Sequence, residues 1–131
     1  MTIPVILLVE DETLLQDVLS SALSEGGFSI VIAGSGSQGL RELETDATRF
    51  QAVITDIKLG DEPDGWGVGR RARELVGDMP VVYMSGSSEH EWTSQGVPNS
   101  VMITKPFAAA QLVTAVATLI NDVTAQRAAQ A

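Results

Sequence analysis

Four short islands of this chain end an apolar run with reactive side chains: Glu10-Asp11, Asp56, Ser85 and Lys105-Pro106. Three carboxylates, a hydroxyl and an ammonium suit a divalent cation beside a phosphoryl group. A carboxylate such as Asp56 can attack phosphorus and form an aspartyl phosphate. The plainer reading of Asp56 is a turn or capping aspartate. Glu10 and Asp11 would repel a third acid unless a cation neutralised them. Donors that are all oxygen, with no His or Cys, favour a hard ion such as Mg2+. The competing reading is acids at a helix N-terminus, complementing its dipole, and that suits Glu12 well. Lys105 could offset charge on a phosphoryl oxygen as a point charge, against the common fate of lysine as a solvated surface residue. Ser85 could donate a hydrogen bond to the same group, or be an ordinary loop serine.

The elements that carry these residues decide whether they meet. The runs Val5–Val9, Ala52–Thr55, Val81–Met84 and Val101–Thr104 are apolar without alternation. Such runs read as strands buried on both faces, which means a parallel sheet. All strands of an open parallel sheet end at one edge, where ligands bind, so the four islands should converge. Phe28–Ala33 reads as a further strand. Leu14, Leu15, Val18, Leu19, Ala22 and Leu23 recur at helical spacing. Gly26-Gly27 ends that helix, as glycine commonly does. Ser37–Asp46, Gly67–Val76, Ser88–Gln95 and Phe107–Asp122 read as the other helices. Gly60–Gly65 is a loop of turn residues. Five strands alternating with five helices predict a doubly wound, flavodoxin-like (βα)5 sandwich, with right-handed crossovers placing helices on both faces. One domain over 1–122 is expected, with 123–131 extending the last helix or fraying.

A length of 131 residues suits a single domain. The formal net charge of −9 argues against non-specific binding to nucleic acid or an anionic membrane. With no cysteine there is no disulfide, thiol chemistry or zinc-thiolate site, which fits a cytoplasmic location. The apolar run Ile3–Val9 is too short to span a membrane and has no cationic leader, so neither a signal peptide nor membrane insertion is expected.

The sequence resembles the receiver (CheY-like) domain of bacterial two-component response regulators, from Ile6 to about Ile120. The stretches that carry the resemblance are Ile6–Glu12, Ala33–Gly36, Ile54–Ile57, Asp64-Gly65, Val82–Gly86 and Thr104–Phe107. Their order and spacing together are specific. The resemblance implies that Asp56 is the phosphoacceptor and that Glu10 and Asp11 are the acidic metal pair. Asp56 and the main-chain carbonyl of Lys58 would complete the protein ligands of Mg2+. Ser85 would be the switch hydroxyl and Lys105 the phosphoryl-binding lysine. The phosphoryl donor would be a histidine kinase or histidine phosphotransfer protein. The output would be a protein target or a second copy, without direct nucleic-acid contact and without a separate enzymatic domain. The family often has an aromatic switch residue three before the lysine; here it is Met102. Tyr83, two before Ser85, is the candidate to replace it. The fourth helix, fifth strand and fifth helix, with Met102 and Trp92, would form the output surface. Leu59–Pro63 replaces the usual Met-Pro turn and is one residue longer. Lys58 and Ser87 occupy positions that tune phosphoryl hydrolysis.

Other readings are weaker. Gly34–Gly39 matches a dinucleotide fingerprint, with Asp56 near the expected spacing. The chain is too short for two mononucleotide-binding halves. A phosphohydrolase of the haloacid dehalogenase type would want a carboxylate two after the nucleophile, where Lys58 stands. A receiver fold acting without phosphorylation would not need the full set of acids and lysine. His90 reads as a surface residue, and Trp66 and Trp92 as packing or contact residues.

Overall fold

The computed structural model describes residues 3–130, apart from the side chain of Glu89. Its elements are β1 (Val5–Val9), α1 (Thr13–Glu25), β2 (Ser29–Ala33), α2 (Gly36–Asp46), β3 (Ala52–Asp56), α3 (Gly65–Leu75), β4 (Val81–Ser85), α4 (Trp92–Gln95), β5 (Val101–Thr104) and α5 (Ala109–Gln130). All pairings are parallel and the strand order is β2-β1-β3-β4-β5. This is the expected doubly wound α/β sandwich.

Side chains alternate across a strand, so each strand feeds two cores. Leu7, Val9, Val53, Val81 and Tyr83 face one way, against Leu43 of α2 and Trp66, Val68 and Ala72 of α3. Ile6, Leu8, Ile54, Val82 and Met84 face the other, against Leu19 and Leu23 of α1 and Leu112 and Val116 of α5. Both faces of β1, β3 and β4 are therefore apolar, which explains runs without alternation. The edge strands differ. Residues 101–104 are only half-buried or exposed, so the apolar sequence of β5 overstated its burial.

Several boundaries shift for identifiable reasons. β3 and β4 each run one residue further than expected, so Asp56 and Ser85 are themselves the last residues of strands. α3 starts at Gly65 rather than Gly67 because Asp64 caps it, accepting from the Gly67 N–H at 3.0 Å. The expected helix Ser88–Gln95 is a 3-10 turn, Glu89–Glu91, followed by one α turn. The predicted tail, 123–131, is helical through Gln130, with Ala131 outside the described residues. Arg127 in that segment makes paired hydrogen bonds of 2.7 and 2.6 Å to Asp78. Leu14 and Val18 stay exposed although they share the helical stripe, because α1 buries only the narrower face bearing Leu19 and Leu23. Among the described residues no helix is long and apolar enough to cross a membrane.

α3 packs closely on β4. Tyr83 is wholly buried, and its ring lies 4.7 Å from that of Trp66 at a tilt of 56°. A Cβ at Gly69 would fall 2.2 Å from the Tyr83 hydroxyl oxygen, so only glycine admits the ring. Gly69→Ala is expected to lower unfolding stability by about 1–3 kcal/mol, the usual cost of overpacking a core. Urea denaturation checks this, and an unchanged midpoint would mean the ring moves aside freely.

Candidate functional site

The strand ladders continue one residue past the carboxyl ends, and this fixes the site. Glu10 N–H donates to Ala33 O at 3.0 Å, Ile57 N–H to Met84 O at 3.1 Å, and Lys105 N–H to Ser85 O at 2.7 Å. Each bond holds the main chain beside a reactive residue. Glu10, Asp11, Asp56, Ser85 and Lys105 are thus brought to one edge, as expected from sequence.

One carboxylate oxygen each of Glu10, Asp11 and Asp56 lies within 4.8 Å of the others. Lys105 Nζ donates to Asp56 Oδ2 at 3.1 Å and lies 3.6 Å from Glu10 Oε1. Asp56 is 8% exposed and Glu10 is fully buried, whereas Asp11 is exposed. Glu10 Oε2 accepts from the Glu12 N–H at 3.1 Å, but the buried Oε1 has no hydrogen-bond partner among the described residues. A buried carboxylate oxygen without a donor is costly, and a cation beside it would offset that cost. Oxygen donors alone, three of them anionic, fit a hard divalent ion.

The charges respond to this crowding. Burial, above all, pushes Glu10 up to about 7, with the Asp56 charge adding to it; the Glu12 N–H and the Lys105 ammonium pull the other way. Burial is also the largest influence on Lys105 and lowers it, but the hydrogen bond and charge of Asp56, with Glu10 behind them, leave it raised. Lys105 therefore stays an ammonium at neutral pH.

Ser85 Oγ is only an acceptor here toward the main chain, taking the N–H of Ser87 at 3.1 Å and of Ser88 at 2.6 Å. It ties down the start of the α4 segment. The far end is tied separately. Tyr83 Oη accepts from the Val97 N–H at 3.1 Å. Arg73 Nε donates to Met79 O at 2.6 Å and its Nη1 to Pro98 O. Trp92 Nε1 donates to Ser100 Oγ at 2.9 Å while 37% of Trp92 stays exposed. Tyr83, the candidate to replace the aromatic switch residue, is wholly buried and off the exposed α4-β5-α5 face. Its ring is apolar and its hydroxyl has an inward partner, so burial satisfies both. Met102 is half-buried beside it, in register on β5. His90 is exposed, and Lys58 lies exposed in the loop after β3.

Supporting residues escaped the sequence reading. Gln16 Nε2 donates to Glu10 O at 2.6 Å, and Thr55 Oγ1 to Asp56 O at 2.8 Å. Neither type signals a role at its position. The dinucleotide-like stretch has an ordinary structural use. Ser35 caps α2 through Gln38 N–H, and the Gly36 N–H is taken by Asp61.

The raised Glu10 carboxyl carries a sign for stability. It holds its proton more tightly folded than unfolded, so in metal-free buffer stability falls as pH rises from the ordinary carboxylate range through about 7. Glu10→Gln is expected to be more stable than wild type at pH 8 by on the order of 1–3 kcal/mol, with little difference at pH 5. Denaturant titrations at the two pH values test this; a gap confined to pH 5 would contradict it.

The response regulator receiver domain family matches residues 6–117. A response regulator receiver protein from Sinorhizobium medicae WSM419 superposes with a TM-score of 0.87 at 43% identity, covering 90% of this chain and 94% of that one. The probable transcriptional regulatory protein SilR of Salmonella typhimurium is 34% identical over 118 residues, which is 88% of this chain and 50% of SilR. The transcriptional regulatory protein CusR of Escherichia coli (strain K12) is 32% identical over the same length, 88% of this chain and 51% of CusR. The chain spans about half the length of these curated relatives. The family match takes in the five strands from Ile6 onward and every residue of the carboxylate edge, and the chain belongs to the receiver domains of two-component response regulators.

Proposed function

We propose that Asp56 is the phosphoacceptor and takes its phosphoryl group from a phosphohistidine on a partner histidine kinase or phosphotransfer protein. One observation carries this reading: Asp56 closes β3 with Lys105 Nζ at 3.1 Å and two further carboxylates within 4.8 Å. Glu10 and Asp11, with Asp56 and the Lys58 main-chain carbonyl, would hold Mg2+. When bound, the ion supplies positive charge against the carboxylates and the phosphoryl oxygens. Asp56 uses the oxygen that Lys105 does not hold to attack phosphorus. An O–P bond forms, the N–P bond of phosphohistidine breaks, and the imidazole leaves with the electron pair. Lys105 then transfers its hydrogen bond from Asp56 to a phosphoryl oxygen, so the chain contributes mainly positioning and electrostatics. A phosphohydrolase would need an acid two after Asp56, and Lys58 offers none.

The phosphoryl oxygens give Ser85 a new acceptor for its proton. Moving toward them costs Ser85 the two amides it holds, which frees the start of the α4 segment. The ties at Val97 and Pro98 remain, so the shift falls on residues 86–96. The face of α4, β5 and α5, with Met102 and Trp92, is the proposed contact for a target protein or a second copy. A net charge of −9 speaks against direct nucleic-acid contact by this chain. Apart from its own phosphoryl chemistry no enzymatic activity is proposed.

Intact mass after incubation with acetyl phosphate tests the acceptor. One phosphoryl group is expected with Mg2+, none with chelator, and none in Asp56→Asn. A gain that survives in Asp56→Asn would place the acceptor elsewhere. Ser85→Ala is expected to gain the phosphoryl group while Trp92 emission no longer changes on phosphorylation. Wild-type fluorescence behaviour in that variant would rule out the hydroxyl as the switch.

A further inference from the structure

Asp61 lies in the loop between β3 and α3 and reaches across to the start of α2. Its Oδ1 accepts the Gly36 N–H at 3.0 Å, and its Oδ2 accepts the Ser37 hydroxyl at 3.1 Å. The first N–H groups of a helix have no intrahelical partner and sit at the positive end of its dipole, so they attract a carboxylate. Ser35 already serves the Gln38 N–H, and Asp61 serves a different donor. A second contact joins the same two segments. A Cβ at Gly36 would fall 1.9 Å from the Pro63 carbonyl oxygen, so the loop main chain lies directly on the helix start. The loop also borders the carboxylates. Gly60 has φ +76°, and its Cβ position is 3.6 Å from Asp11 Oδ2.

We propose that Asp61 is a positioning residue of the phosphoryl site. By fastening the loop to α2 it holds the stretch from Asp56 through Lys58 and Gly60 in place beside Asp11. Asp61 itself is exposed and acts through the loop. The inference rests on the Mg2+ reading above and adds a determinant to it. It also gives a purpose to Gly36 and to the longer loop, which the dinucleotide-like pattern and the turn residues left unexplained.

The test is Mg2+ titration calorimetry on the metal-free full chain, together with amide hydrogen exchange at residue 36. Asp61→Ala is expected to weaken Mg2+ binding roughly tenfold, the low end of what outer-shell partners contribute. Exchange at Gly36 should speed up in the same variant. Asp61→Asn keeps an acceptor for the Gly36 N–H and should recover most of both losses. Removing a negative charge could by itself weaken cation binding, so two variants keep every charge. Gly36→Ala pushes the Pro63 carbonyl away and should weaken Mg2+ binding as Asp61→Ala does. Ser37→Ala, the milder variant should the first fail to fold, removes one tie and should weaken it by a smaller factor. If Asp61→Ala and Asp61→Asn lose affinity equally while Ser37→Ala and Gly36→Ala bind as wild type, charge is the cause and the proposal fails. If wild type binds and Asp61→Ala binds equally, this inference alone is overturned. A wild type that takes no Mg2+ overturns the metal reading and this inference with it.

Discussion

Lys105 brings one ammonium to three carboxylates, and the rest of the edge is arranged around that imbalance. β5 lies two strands from β3, about 10 Å at ordinary strand spacing. Lysine's four-carbon stem spans the intervening β4 to meet Asp56 at 3.1 Å. The same ammonium stands 3.6 Å from Glu10, too far for a hydrogen bond, so Glu10 keeps an orphan oxygen in a buried setting. On the proposed Mg2+ reading, a bound cation would offset this crowding of acids. On that reading, cation binding and folding stability would pull against each other at Glu10, where burial raises the carboxyl.

Much of this was legible in the sequence because parallel sheets obey a simple rule. Buried central strands need continuous apolar runs, and their carboxyl ends share an edge. From that rule Glu10, Asp11, Asp56, Ser85 and Lys105 could be brought together without a structure. The edge strands and the α4 segment were less legible. β5 has the composition of a central strand but only one neighbour, and neighbour number is not written in local composition. Leu14 and Val18 have helical spacing, yet only packing decides how wide a stripe is buried. Gln16 and Thr55 each make one side-chain hydrogen bond to main chain, and Asp61 makes two across a loop. Polar residues at such positions carry no periodic signal.

Tyr83 shows how a plausible analogy meets a physical limit. An aromatic near Ser85 could rotate only if one of its positions were open to solvent. Here the ring is enclosed by Trp66 and by the space that Gly69 leaves, and its hydroxyl holds the Val97 N–H. Turning it outward would break that bond, open a void under α3 and expose the ring, at a cost of several kcal/mol on ordinary packing scales.

The polypeptide between the two ties is much easier to move. Residues 86–96 contain a 3-10 turn and a single α turn, and, Glu89 aside, their side chains are largely exposed. Helical segments this short gain little from their own hydrogen bonds. What holds the start of the segment is chiefly Ser85 Oγ, through two amides each worth about 1 kcal/mol net. A charged phosphoryl oxygen is a stronger acceptor for the Ser85 proton than any neutral partner, roughly twice as strong by charge assistance. On the proposed reading the two sides of the exchange are therefore close in energy, which is the condition for a switch. Tyr83 then acts as the fixed end of a lever whose free end is the backbone after Ser85, and movement that reaches Trp92 would have to break its 2.9 Å bond to Ser100.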